Sequence, residues 1–151
     1  MKIAVFPGSF DPITKGHEDI LLRMRPLFDK IIIAIGNNST KKYMYSLEQR
    51  KQWIEQTFSS YDNIEVDSFD GLTVNYCKNI GANFILRGLR NSNDFEYEKS
   101  IAQMNKTLVP EVDTLLVNTK PEFSSISSTI VRDILKNGAD ASLFLPEQVK
   151  I

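Results

Sequence analysis

Five short apolar runs mark the chain: Ile3 to Phe6, Ile31 to Ile35, Ile64 to Val66, Phe84 to Leu86, and Thr114 to Val117. They are rich in Ile and Val and mostly unalternating, which suits strands buried on both faces, although periodicity alone does not separate such runs from buried helix. The intervening segments decide. Between the first two runs, Ile20, Leu21, Met24, Leu27 and Phe28 recur at helical spacing, with Pro26 expected to kink or split the helix. Ser46 and Gln49 have the spacing of a capping box and open a helix with Leu47, Trp53, Ile54 and Phe58 on one face. Leu72, Tyr76 and Ile80 form a third stripe, stopped by Gly81. A fourth helix is expected from near Asp94, carrying Tyr97, Ile101, Met104 and Leu108 inward until Pro110. A fifth carries Ile130, Val131, Ile134 and Leu135 and stops at Asn137-Gly138, and a short last helix is read near Pro146.

Strands alternating with helices predict right-handed crossovers and a parallel sheet covered on both faces. The expectation is a single Rossmann-like, doubly wound α/β domain with a five-stranded parallel sheet over residues 1–151. The length fits one core, and no repeat or Pro/Gly/Ser-rich linker divides the chain. With 42% apolar and 25% charged residues the chain is far from a disordered composition, so it is expected to bury a core without disulfides.

Charge narrows the function classes. Lys and Arg total 18 against 19 for Asp and Glu, so the net charge of −1 argues against a nonspecific nucleic-acid binder, and any anion site must be local. The lone Cys77 cannot form an intramolecular disulfide, which fits a reducing compartment. The N-terminal run is too short for the core of a signal peptide, and no stretch of about 18 apolar residues is present to span a membrane. A cytoplasmic protein with no membrane partner is expected.

In an open parallel sheet, ligands sit beyond the carboxyl ends of the strands. The segments expected there are Pro7 to His17, Asn37 to Lys42, Arg87-Gly88-Leu89-Arg90, and Ser124 to Thr129. Hydroxyls, glycines and cations dominate them, as on a phosphate-binding surface. Gly8 and Gly16 allow close backbone approach, Thr14 can cap the following helix, and His17 then falls in its first turn, where free N–H groups and the helix dipole favour an anion. Arg87 and Arg90 can grip phosphate oxygens. Ser127 is placed to cap the last long helix. Asp94 and Glu96 are read as acids at a helix start, and Lys41 and Lys42 are equally plausible as solvated turn residues or ligands. No Walker loop, Gly-x-Gly-x-x-Gly fingerprint, paired cysteines or second histidine is present, so P-loop ATPases, dinucleotide dehydrogenases and zinc enzymes lose support.

Gly8-Ser9-Phe10-Asp11-Pro12 followed by Thr14-Lys15-Gly16-His17 resembles the signature of the nucleotidyltransferase superfamily. Arg87 to Arg90, Asp94-Phe95-Glu96-Tyr97-Glu98, Met104-Asn105 and Ser125 to Thr129 extend the resemblance, along nearly the whole chain, to phosphopantetheine adenylyltransferases. The resemblance implies transfer of AMP from ATP to 4′-phosphopantetheine, giving dephospho-coenzyme A and pyrophosphate, with Mg²⁺ on ATP and a homo-hexameric assembly. It implies that Ser9 and Lys41 bind the substrate phosphate, that Arg87 bridges substrate and nucleotide, and that Leu72 and Thr73 line the pantetheine arm. It places Ser9, Phe10, His17, Gly88, Leu89, Arg90, Glu98 and the loop Phe123, Ser124, Ser125, Ile126, Ser127, Ser128 and Thr129 against ATP. His17, Lys41 and Ser9 are the implied catalytic groups, with no protein-held metal, and coenzyme A is implied as a feedback ligand. Ser9 stands where the family often has Thr, and Thr73 where an apolar residue is common.

Overall fold

The computed structural model describes residues 1–151. Five strands, β1 (Ile3–Gly8), β2 (Lys30–Gly36), β3 (Ile64–Phe69), β4 (Phe84–Leu89) and β5 (Asp113–Asn118), form one all-parallel sheet in the order β3-β2-β1-β4-β5. The helices between and after them are α1 (Lys15–Met24), α2 (Leu47–Thr57), α3 (Thr73–Ile80), α4 (Ser92–Leu108) and α5 (Ser128–Lys136). The chain builds outward from β1 to β3, then returns to the other side of β1 for β4 and β5. Its direction therefore reverses between β1 and β4, where a doubly wound sheet opens a crevice.

Strand alternation sorts the core into two layers. Ala4 and Phe6 of β1 join Ile31, Ile33 and Ile35 of β2 against Ile20 and Leu21 of α1, Trp53 and Ile54 of α2, and Val131 of α5. Val5 and Ala34 point to the other face, where Val74 and Cys77 of α3 meet Ile85, Val109 and Val112. Pro26 does divide its helix: α1 ends at Met24 and a 3₁₀ turn, Arg25–Leu27, carries the chain into β2. Ser46 caps α2 by accepting from the Gln49 N–H, and Gly81 closes α3 with φ of 76°.

Four expectations are corrected. The strands run past the apolar tetrads, so Pro7 and Gly8 end β1, and Arg87, Gly88 and Leu89 are strand residues rather than loop. The α3 face against the sheet centres on Val74 and Cys77, both fully buried, with Tyr76 and Ile80 of the expected stripe packed beside them, whereas Leu72 is the exposed N-cap. The α4 stripe does not turn inward: Tyr97 is 67%, Met104 63% and Leu108 55% exposed. A shared helical face shows up in periodicity, but which surface it meets does not. A cavity of about 260 Å³ lies between α4 and the sheet, lined from α4 by Glu98, Ala102 and Asn105 as well as by Tyr97 and Ile101 of the stripe, and from the sheet by Ile85 and Thr114 among others. The last helix is a 3₁₀ turn, Ser142–Phe144, that ends before Pro146.

Candidate active site

The crevice originates in the sheet itself. β1 and β2 stay in register over the whole of β1, from Ile3 to Gly8, but β1 and β4 pair only at Ala4 with Phe84 and Val5 with Ile85. Beyond that point the two strands separate. Pro7 has no N–H to lose from a ladder, and its carbonyl accepts instead from Arg87 Nη1 at 2.7 Å, so a side chain spans the gap that backbone pairing leaves.

A cleft of about 320 Å³ opens above this split, lined by Gly8, Ser9 and Phe10, by Gly16 and His17, by Lys41, by Arg87, Gly88 and Arg90, and by Ile126 to Thr129. Segments far apart in the sequence thus meet at one rim, including both helix starts singled out from the sequence. Ser9 and Arg87 also border the 260 Å³ cavity under α4, and Ser9, Lys41 and Thr73 border a further groove along Asn37 to Ser39. The three spaces lie side by side, and Ser9 lines all of them.

His17 is fixed from two sides. Thr14 and His17 make a reciprocal cap at the α1 start: the His17 N–H faces Thr14 Oγ1, and the Thr14 N–H donates to His17 Nδ1 at 3.0 Å. A backbone N–H can only donate, so Nδ1 is the acceptor and the neutral ring has its proton on Nε2, free to donate. The ring lies edge-on to Phe10 at 5.0 Å and to Phe6 at 6.2 Å. Desolvation, with Arg87 and Arg90 adding repulsion, lowers its pKa from 6.5 to about 4, so the imidazole is neutral at pH 7.

Two glycines have no room for a Cβ. One on Gly88 would collide with Ile20 Cδ1 of α1, and one on Gly8 would stand 3.1 Å from the Phe10 ring. The absence of side chains there lets α1 lie close on β4 and lets buried Phe10 fold back against β1.

Arg87 is held at a set angle. Its Nε and Nη2 donate to the two carboxylate oxygens of Glu98 at 2.9 and 2.7 Å, and Glu98 itself is only 7% exposed. Such a fork-to-fork pair fixes the guanidinium plane. Asp94 does the same more loosely for Arg90, accepting from its backbone N–H at 2.9 Å and its Nε at 3.3 Å. Lys41 Nζ lies 3.0 Å from Ser9 Oγ, whereas Lys42 lines none of the three spaces. At the α5 start Ser127 Oγ accepts from the Ile130 N–H, while Ser128 and Thr129, whose N–H groups have no acceptor within the helix, line the cleft.

Several residues singled out from the sequence stand away from this wall. Leu89, Phe123, Ser124 and Ser125 do not line the cleft, although Phe123 Cβ is 4.0 Å from the position a Cβ on Gly16 would take. Leu72 lines none of the spaces, while its neighbour Thr73 lines two. Residues unremarked in the sequence also join the site. Arg132 lines the cleft, donating to the Asp11 carbonyl at 2.9 Å and to Thr129 Oγ1 at 3.2 Å. Its position four residues after Ser128, on the same α5 face, was the available signal. Lys41, Arg87, Arg90 and Arg132 make the cleft cationic, since its two carboxylates, Asp94 and Glu98, are already paired with arginines.

A cationic crevice that two helix starts face has the chemistry to hold a polyphosphate. The cytidylyltransferase-like family model matches residues 5–134. A phosphopantetheine adenylyltransferase of Flavobacterium psychrophilum is 54% identical over 151 residues, covering 100% of this chain and 99% of that one. The chain belongs to the phosphopantetheine adenylyltransferase family. A further member, from Cytophaga hutchinsonii, is 52% identical over 98% of this chain and 99% of its own. Among solved structures, a bifunctional NMN adenylyltransferase/ADP ribose pyrophosphatase from Francisella tularensis superposes with a TM-score of 0.74 at 22% identity, over 98% of this chain and 46% of that one. At that identity the likeness is one of fold, and it extends the nucleotidyltransferase architecture beyond the phosphopantetheine adenylyltransferase family.

Proposed function

We propose that the chain transfers AMP from ATP to 4′-phosphopantetheine, releasing pyrophosphate and dephospho-coenzyme A, a step of coenzyme A biosynthesis. The observation that carries the reading is the cleft at the β1–β4 split, where two helix starts, His17 and four cationic side chains face one space, and Ser9 lines both it and the cavity under α4. The nucleotide fits the cationic cleft, and the pantetheine arm fits the cavity bordered by Phe69, Thr73 and Asn105.

A phosphate monoester has its second pKa at about 6, so at pH 7 the attacking phosphate is mostly dianionic and needs no general base. One of its oxygens attacks the α-phosphorus of ATP in line as the bond to the β-phosphate oxygen breaks, and pyrophosphate leaves with that electron pair. The protein's task is alignment and charge stabilisation. Ser9 and Lys41 hold the attacking phosphate, Arg87 stands between the two substrates, and the Nε2–H of His17, with Lys41, stabilises charge growing on the α-phosphate. Arg90 and the α5 start take the β- and γ-phosphates. A neutral His17 suits this role, because its donor proton stays in place throughout the neutral pH range.

Mg²⁺ arrives with ATP, held by phosphate oxygens and water. The carboxylates in the cleft are committed to arginines, and no cluster of three or more His, Cys, Asp or Glu is present to cage an ion. The outward apolar stripe of α4 supports self-association, and the family resemblance sets the expected assembly as a hexamer working in the cytoplasm. Coenzyme A, which combines the pantetheine arm with an adenylate, is a candidate inhibitor of the same site.

Incubation with ATP, Mg²⁺ and either 4′-phosphopantetheine or nicotinamide mononucleotide, with pyrophosphate measured, tests the reading. Release with 4′-phosphopantetheine alone is expected; release only with the mononucleotide, or with neither, overturns it.

A further inference from the structure

Arg50 is the largest fully buried side chain, at 2% exposed, and its guanidinium lies among residues of the segments that follow β1 and β2. From α2 it reaches across to donate Nη1–H to the Ser9 carbonyl at 2.8 Å and Nε–H to the Tyr45 carbonyl at 3.1 Å. Its plane lies over the Tyr43 ring, 4.0 Å from the centroid. Tyr43 in turn carries Lys41, whose Nζ is 5.6 Å from the same centroid, and ties down its own loop by donating from its hydroxyl to the Gly36 carbonyl and accepting from the Asn38 N–H.

A buried cation needs compensation. Two carbonyls and an aromatic face supply it directly, with Asp11 nearby as the favourable charge. Asp11 closes the same unit by accepting the N–H groups of Met44 and Tyr45 at 2.8 and 3.0 Å, which ties the segment after β1 to the segment after β2. Ser9 and Lys41 sit on these two segments, 3.0 Å apart at Oγ and Nζ. The Arg50 strut thus joins the Asp11 ties and the exposed Ser9–Lys41 contact in setting their separation, and it is the one of these that meets the Ser9 backbone itself.

We propose that Arg50 is a positioning residue for the phosphate-transfer step: it fixes Ser9 and Lys41 relative to one another, so that they hold the attacking phosphate in line, while the nucleotide half of the cleft does not depend on it. The inference rests on the reading of Ser9 and Lys41 as the acceptor-phosphate site. A planar fork is essential to the arrangement, because a lysine at this point keeps the charge but cannot stack on Tyr43 and meet two diverging carbonyls together.

The test is steady-state kinetics of Arg50→Lys, with ATP binding measured separately by calorimetry. The variant is expected to lower kcat by roughly 10-fold to 100-fold, the scale of an ångström-sized misplacement, and to raise the KM for 4′-phosphopantetheine, with ATP affinity within about 2-fold of wild type. Lys41→Met combined with Arg50→Lys should lose clearly less than the product of the two single defects, since one of the two residues that Arg50 positions is already removed. Should Arg50→Lys fail to fold, Tyr43→Leu removes the shared ring while leaving Arg50 its two carbonyl acceptors and the nearby Asp11, and is expected to show the same selective loss. Wild-type kinetics, an equal loss of ATP binding, or multiplicative defects in the double variant would each overturn the proposal. An inactive wild type with 4′-phosphopantetheine would instead overturn the functional reading beneath it.

Discussion

At the scale of single residues, His17 shows how one side chain serves fold and chemistry together. Its Nδ1 closes the α1 cap and thereby frees Nε2–H for the cleft. His17→Ala removes one donor to the developing charge, which is expected to raise the barrier by about 3 kcal/mol and slow turnover some hundreds-fold; single-turnover rates on folded variant read this, and near wild-type rates would refute the role. The same residue makes stability depend on pH. The unfolded chain binds the proton below 6.5, but the folded protein does so only near 4, so over that window the unfolded state holds more protons and stability falls as pH falls. Gln at this helix position can still accept the Thr14 N–H. Urea midpoints of His17→Gln should therefore decline less than those of wild type between pH 6.5 and 4, and parallel declines would show that the ring is not held neutral. The sequence placed this histidine in the first turn after Gly16, but ring tautomer and protonation depend on Phe6, Phe10, Arg87 and Arg90, which only the fold assembles.

At the scale of elements, the contact between α1 and β4 decides whether the cleft keeps its floor. A Cβ at Gly88 would overlap Ile20 Cδ1, and Ile20 is itself buried at 3% exposure with little room to withdraw. Gly88→Ala is expected to cost about 1–3 kcal/mol. Adding Ile20→Val, which deletes the clashing methyl, should recover most of that loss in thermal unfolding; no recovery would place the strain elsewhere. Every strand and main helix was legible in the apolar pattern: β1, β2 and the start of β4 are buried on both faces and read as unbroken apolar runs, while the edge strands β3 and β5 alternate half-buried and exposed positions around shorter runs. The polar strand ends were not: Arg87-Gly88 reads as loop when the chain is scanned for apolar runs, yet it stays in the ladder opposite Leu116 and Val117. For α4 the period was legible and the partner was not, since a cavity and one buried glutamate lie where packing was expected. Arg50 escaped notice for a related reason, because an arginine at the end of a helix's first turn looks solvated until the loops it spans are brought beside it.

At the scale of the whole molecule, the site is a consequence of topology. Reversal of strand order at β1 and β4 splits the sheet, and α1 and α5 both start at the resulting gap. The far end of the chain is tied to the same place by Ser128 Oγ donating to the Pro12 carbonyl at 2.8 Å and by Arg132 on Asp11. The outward face of α4 is left exposed within the chain, and pairing Met104→Asp with Leu108→Asp should shift sedimentation of the proposed hexamer to smaller species; an unchanged profile would remove this face from the assembly. The central claim is that the acceptor's own phosphate attacks the α-phosphorus directly, with the protein aligning and stabilising but never bonding to it. Cys77 is buried, and burial raises its pKa to about 11, which makes it a poor nucleophile. The most direct measurement is the stereochemical course with ATP carrying a single sulfur-for-oxygen configuration at the α-phosphorus. One in-line displacement gives dephospho-coenzyme A of inverted configuration, whereas retention would require a covalent nucleotidyl-protein intermediate and contradict the account.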